Sequence, residues 1–224
     1  MQPITIALLG SADPEAPPEE YGRPRVETLQ LAQALRAIDP EPLREVKSPF
    51  AHTPPTSGVF PLYGEAKWCF PLNVVMPTPE SFGETTPDVV LLMPTLPVTS
   101  EWQAVVALAV EAGALVVELR SVTPRPPHGD RWPLTHAILR WSKGWLTDAA
   151  EVLEAIVPQV GSTWEHRKSE RRATVCGVGR LQVAIPGFDS RIEIRYSEVP
   201  GEVWGRPLVE FVERFDFQFG VGEE

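Results

Sequence analysis

The run Asp88-Val89-Val90-Leu91-Leu92-Met93, with a helical pattern after it and a second apolar run from Ala114 to Leu119, constrains the fold most. Six residues of this kind without polar alternation read as a strand buried on both faces of a parallel sheet. Parallel neighbours need a crossover between them, and the intervening residues supply a helix. Ser100 can cap that helix, and Gln103 three residues on completes a capping box. Trp102, Val105, Val106 and Ala109 make its buried stripe, and Gly113 supplies its stop. The unit predicts a right-handed βαβ crossover.

The same alternation recurs. Ile4 to Leu9 is a short apolar run that ends at Gly10-Ser11. Pro24 suits the first turn of a helix over 25–38, with Leu31, Leu35 and Ile38 as its apolar stripe and Asp39-Pro40-Glu41-Pro42 as its end. His136 to Trp141 reads as a further strand. Asp148, with Glu151 three residues on, then opens a helix carrying Ala149, Val152, Leu153, Ile156 and Val157 on one face. Strand-helix alternation predicts an α/β domain over 1–162, doubly wound on a mainly parallel, Rossmann-like (flavodoxin-like) sheet. Residues 40–87 form a proline-rich irregular insertion within it. Pro54-Pro55, Pro77-Thr78-Pro79, Gly58, Gly64 and Gly83 mark its turns, and Val59-Phe60 and Trp68 to Val75 read as short strands.

After residue 162 the pattern changes. Glu165 to Arg172 is a charged connector, read as solvated rather than as a nucleic-acid patch. Leu181, Val183 and Ile185 then alternate with polar or small residues, as do Ile192, Ile194 and Tyr196. Val209, Phe211, Phe215, Phe217 and Phe219 share one parity, with Pro186-Gly187 and Pro200-Gly201 as turns. Period-two alternation over three segments predicts a C-terminal antiparallel meander over 163–224 with one apolar face. That face requires a cover, from the first domain, a partner subunit or another protein.

With 43% hydrophobic and 22% charged residues, the chain carries enough apolar material for a full core. A formal charge of −10 argues against a broad nucleic-acid footprint, so nucleic acid is not an expected partner. Twenty-five prolines stiffen the connections. Cys69 and Cys176 give neither metal spacing nor a disulfide framework, so no metal is expected and both read as reduced thiols. The first apolar run lacks a basic lead-in, and no run approaches the roughly 18–20 residues of a membrane span. A cytoplasmic protein with no membrane partner is expected.

In an open α/β sheet, ligands bind beyond the carboxyl ends of the strands. Three loops qualify. Gly10, Ser11 and Asp13 form a turn able to present amides and a hydroxyl, although neither a dinucleotide fingerprint nor a P-loop occurs. Ser100 and Glu101 stand at the start of the second helix, where an acid also favours the positive end of the helix dipole. The third loop is basic: Arg120 to Lys143 holds five cationic residues and a single acid, Asp130. Arg120, Arg125 and Arg131 offer guanidinium forks to a phosphate or carboxylate, and His128 titrates near neutrality. The competing reading is a set of solvated loop arginines.

The segment DVVLLMPTLPVTSEWQAVVALAVEAGALVVEL, Asp88 to Leu119, resembles the central unit of nucleoside 2-deoxyribosyltransferase-like proteins. These belong to the Rossmann-like nucleotide-processing domains that include the TIR and SLOG families. The resemblance implies nucleoside or nucleotide ligands, with Glu101 as the transferase glutamate. It adds no cofactor.

Two readings follow. One is binding of a nucleotide-like or other anionic small molecule at the sheet edge, with N-glycosidic cleavage or transfer through Glu101. The other is a non-catalytic assembly, adaptor or structural subunit that forms a homo-oligomer, or meets a partner protein, through the C-terminal strands.

Overall fold

Backbone bonding in the first unit starts from three short apolar strands whose side chains are buried on both faces. The computed structural model describes residues 3–10, 23–38, 71–94, 96–121, 132–141, 152–153, 155–180, 191–199 and 201–217. These divide into two compact units, one running to Ile156 and one beginning at Val157.

The first unit is α/β. Its strands are β1 (Ile4–Leu9), β2 (Leu72–Val75), β3 (Val89–Leu92), β4 (Leu115–Ser121) and β5 (Ala137–Trp141). All neighbours pair in parallel, in the order β2-β1-β3-β4-β5. From β1 the chain therefore steps to one side for β2, then returns to the other side for β3, β4 and β5. Helix α1 (Arg23–Arg36) lies between β1 and β2, and helix α2 (Ser100–Glu111) between β3 and β4. Ala7, Leu9, Val90, Leu92 and Val116 form one core cluster with Val105, Val106 and Ala109 of α2. Ile6, Leu8, Val89, Leu91, Leu115 and Val117 alternate with them, are equally buried, and point to the other face.

At the amino-terminal edge two strand junctions share one device. Asp88 donates its backbone N–H to the Thr5 carbonyl (2.8 Å), and its carboxylate accepts the Thr5 N–H (2.8 Å). His136 likewise donates its N–H to the Val116 carbonyl (2.9 Å), while its Nδ1 accepts the Val116 N–H (2.9 Å). In each case the residue just before a strand completes its neighbour's ladder with a side chain.

Two helix boundaries differ from the sequence expectation. α1 ends at Arg36, whose guanidinium donates to the Val74 carbonyl (2.9 Å) and ties the helix end to β2, leaving Ile38 past the helix. α2 is capped by Thr99 and not by Ser100. Thr99 is extended (φ −102°, ψ 162°), and its hydroxyl accepts the Trp102 N–H at 3.3 Å. Ser100 is already helical, so Gln103 falls one position too late for a capping box. Of the helix expected from Asp148, only Val152 and Leu153 are described as helical, and both are buried.

The second unit is an antiparallel sheet in the order β10-β6-β7-β8-β9. Its strands are β6 (Thr163–His166), β7 (Arg172–Arg180), β8 (Ile192–Ser197), β9 (Trp204–Pro207) and β10 (Phe215–Phe217). The last strand returns to pair with the first, Phe215 opposite His166 and Phe217 opposite Trp164. The expected charged connector is here a hairpin. Glu165 lies in β6, Arg172 begins β7, and the turn is closed by the His166 N–H on the Arg171 carbonyl (2.8 Å). The His166 ring caps that turn through Nδ1, which accepts the Ser169 N–H at 3.2 Å. The expected strand around Leu181, Val183 and Ile185 lies outside the described residues.

The expected final strand is also corrected. Leu208–Arg214 is a helix, α3, followed by β10. Leu208, Phe211, Val212 and Phe215 stand at i, i+3, i+4 and i+7, and all four are buried. Phe211 stacks on Phe215 (4.5 Å between centroids) and meets the edges of Trp164 (5.3 Å) and Tyr196 (5.2 Å). The apolar face of the meander is thus covered from within by α3.

Candidate functional site at the carboxyl edge of the parallel sheet

Parallel pairing sends every carboxyl end of the first sheet to one edge. β1 and β3 are adjacent there, with Leu9 opposite Leu92 and the Met93 N–H bonded to the Leu9 carbonyl at 2.9 Å. Gly10 therefore lies beside the start of the loop over 93–99, which leads into α2. β4 continues the edge: Glu118 is opposite Leu92, and Arg120 lies two residues further out. Gly10, the start of α2 and Arg120 share this edge by topology. Ser11, Asp13, Arg125, His128 and Arg131 lie outside the described residues.

Gly10 has a packing role. A Cβ there would lie 2.7 Å from Oγ1 and 3.0 Å from Cγ2 of Thr28, a fully buried residue of α1. The glycine lets the helix approach the strand end, which is one of the uses glycine has after the first strand of such sheets.

Ser100 and Glu101 occupy the first two positions of α2 and are exposed. Their backbone N–H groups belong to the unsatisfied set of a helix start, and the Glu101 carboxylate sits in the favourable end of the dipole.

The residue that sequence reasoning passed over is Glu118. It follows Val116 by two positions on β4, so it points to the face that carries α2. Glu118 is 3% exposed, and with Thr28 it is one of two buried polar or charged residues among those described. Its Oε2 accepts from Nη2 of Arg120 at 2.9 Å, and the Arg120 side chain keeps 31% of its surface in solvent. A charge inside a low-dielectric wall is costly unless paired, so the carboxylate and the guanidinium hold one another in place. Leu96 and Trp132, both buried, belong to the same cluster and wall off this face. The signal in the sequence was an acid and a base two residues apart within an otherwise apolar strand.

No protein-family model, curated protein or solved structure matches the chain. The site therefore rests on its own geometry.

The arrangement is a half-buried ion pair at a sheet edge. Arginine contributes a planar fork for an anion, and the glutamate contributes acceptor oxygens for N–H or O–H donors. Among the described residues no group of three or more His, Cys, Asp or Glu could hold a metal ion, and no helix is long and apolar enough to cross a membrane. Cys176, on β7 in the second unit, is a free, half-buried thiol. Burial pushes its pKa up, against the opposing pull of its backbone hydrogen bond and the Arg195 charge.

Proposed function

We propose that the first unit is a doubly wound, Rossmann-like domain that binds a small anionic, nucleotide-like molecule at the carboxyl edge of its sheet. The strand order 2-1-3-4-5 supports the fold, because it is one of the two common doubly wound orders. In that order the winding reverses between β1 and β3, and the crevice at the reversal is where such sheets take ligands. The observation that carries the reading is the Glu118–Arg120 pair, seated one strand from that crevice with its carboxylate out of water.

The pair also narrows the ligand. A bare arginine would favour any anion, whereas a neutralised one favours a ligand that adds donors for the carboxylate. A phosphate or carboxylate beside hydroxyl or base N–H groups meets both demands, as in a nucleoside monophosphate. Cleavage or transfer at an N-glycosidic bond would fall to Glu101, exposed on the first turn of α2 at the same edge.

Thermal denaturation of the full chain against a panel of nucleosides and nucleotides tests the binding. A ligand at about 100 times its Kd adds about 2.7 kcal/mol, a rise in Tm of about 5–10 °C for a chain of this size. Arg120→Ala is expected to weaken binding by about tenfold or more, the value of a hydrogen bond to a charged group. Absence of any shift across the panel at millimolar ligand would reject the proposal. Release of free base by the wild type, lost in Glu101→Gln, would add the chemistry.

A further inference from the structure

Among the described residues β9 closes one end of the antiparallel sheet and pairs only with β8, so no described strand lies on its far side. Pro207 lies opposite Glu193 in this ladder, and proline has no N–H. That pair therefore cannot be one that exchanges both backbone bonds, and the alternation of antiparallel pairs fixes the rest. Trp204 and Arg206 turn their N–H and C=O groups toward β8, and Gly205 turns both of its own outward. Gly205 brings no side chain to the strand, and a Cβ there would meet the far end of the Glu193 side chain. The neighbouring apolar side chains are exposed, Trp204 at 53% and Val203 at 50%. A turn built on Gly201 (φ +91°), with the Glu202 N–H on the Val199 carbonyl (3.0 Å), delivers the chain into the strand.

The sequence across this edge is self-complementary. A two-fold axis through Trp204 sets Gly205 of one copy opposite Val203 of the other, and Arg206 opposite Glu202. Opposite charges then meet twice, and the two exposed indoles meet once at the axis. Arg206 is held ready, with Nε on the Tyr196 hydroxyl at 2.8 Å and Nη1 3.6 Å from Glu210. We propose that the chain self-associates by antiparallel pairing of β9 with β9 of a second copy, in this register. The two outward groups of Gly205 exchange bonds with Val203 of the other copy, and symmetry repeats the exchange. Pro207 ends the pairing on both sides. An interface this short falls below the size of permanent dimers, so the association is reversible and depends on concentration. It is independent of the ligand site proposed for the first unit.

Sedimentation velocity of the full chain over a concentration series tests the pairing. The wild type is expected to pass from monomer to dimer. Glu202→Arg sets like charges against each other at both contacts and is expected to weaken the dimer by about tenfold, at roughly half a kcal/mol to one kcal/mol per contact. Arg206→Glu is expected to do the same. Mixed together, the two single variants regain opposite charges at both contacts, so a heterodimer with wild-type affinity is expected. Circular dichroism checks the fold of each variant. If Arg206→Glu does not fold, Trp204→Lys replaces it and is expected to abolish the dimer. A wild type that stays monomeric throughout, or a dimer indifferent to Glu202→Arg, overturns the proposal.

Discussion

At the residue scale, the side chains that matter most in the first unit are polar ones inside an apolar sheet. Asp88 and His136 accept backbone N–H groups that a neighbouring strand cannot use elsewhere. Val116 is fully buried, so His136→Ala leaves its N–H without an acceptor, at about 1–3 kcal/mol. Urea denaturation is expected to register that loss, with Asp88→Asn costing less than Asp88→Ala because the amide retains an acceptor oxygen. Gly10 carries a second prediction. Gly10→Ala drives a methyl into Thr28 and is expected to destabilise by about 1–3 kcal/mol, and the same change in a Thr28→Ala background is expected to cost clearly less. Equal costs in both backgrounds would refute the packing role.

At the scale of elements, the α2 cap separates two readings of one sequence. Thr99→Ala is expected to cost about 1 kcal/mol, and Ser100→Ala only a few tenths, in thermal or urea denaturation. The reverse ranking would restore Ser100 as the cap. The strands of the first unit were legible because a buried parallel strand leaves an unbroken apolar run, as at Ile4–Leu9 and Val89–Leu92. Glu118 was less legible. Its charge sits inside a run that still reads as apolar, and its partner Arg120 looked like the start of a basic loop. The segment 208–217 was misread because its phenylalanines satisfy two periods at once. Odd positions suggest a strand, while Leu208, Phe211, Val212 and Phe215 satisfy a helix, and packing against Trp164 and Tyr196 selects the helix. No local signal reveals that a sheet face will be covered by a seven-residue helix of its own unit.

At the scale of the whole molecule, the chain holds a parallel α/β unit and an antiparallel unit with its own aromatic core. Each offers a different chemistry at an edge. The first ends its strands at a paired charge, and the second ends its described sheet at an outer strand of self-complementary sequence. The first edge is the one proposed to take a ligand. Hydrogen exchange followed by mass spectrometry, on the full chain with and without the nucleotide that gives the largest thermal shift, tests it most directly. Added protection is expected in peptides covering Leu92–Trp102 and Leu115–Ser121, with Arg120→Ala removing it and Thr163–Phe217 unchanged. Protection confined to Thr163–Phe217, or undiminished in Arg120→Ala, would contradict it.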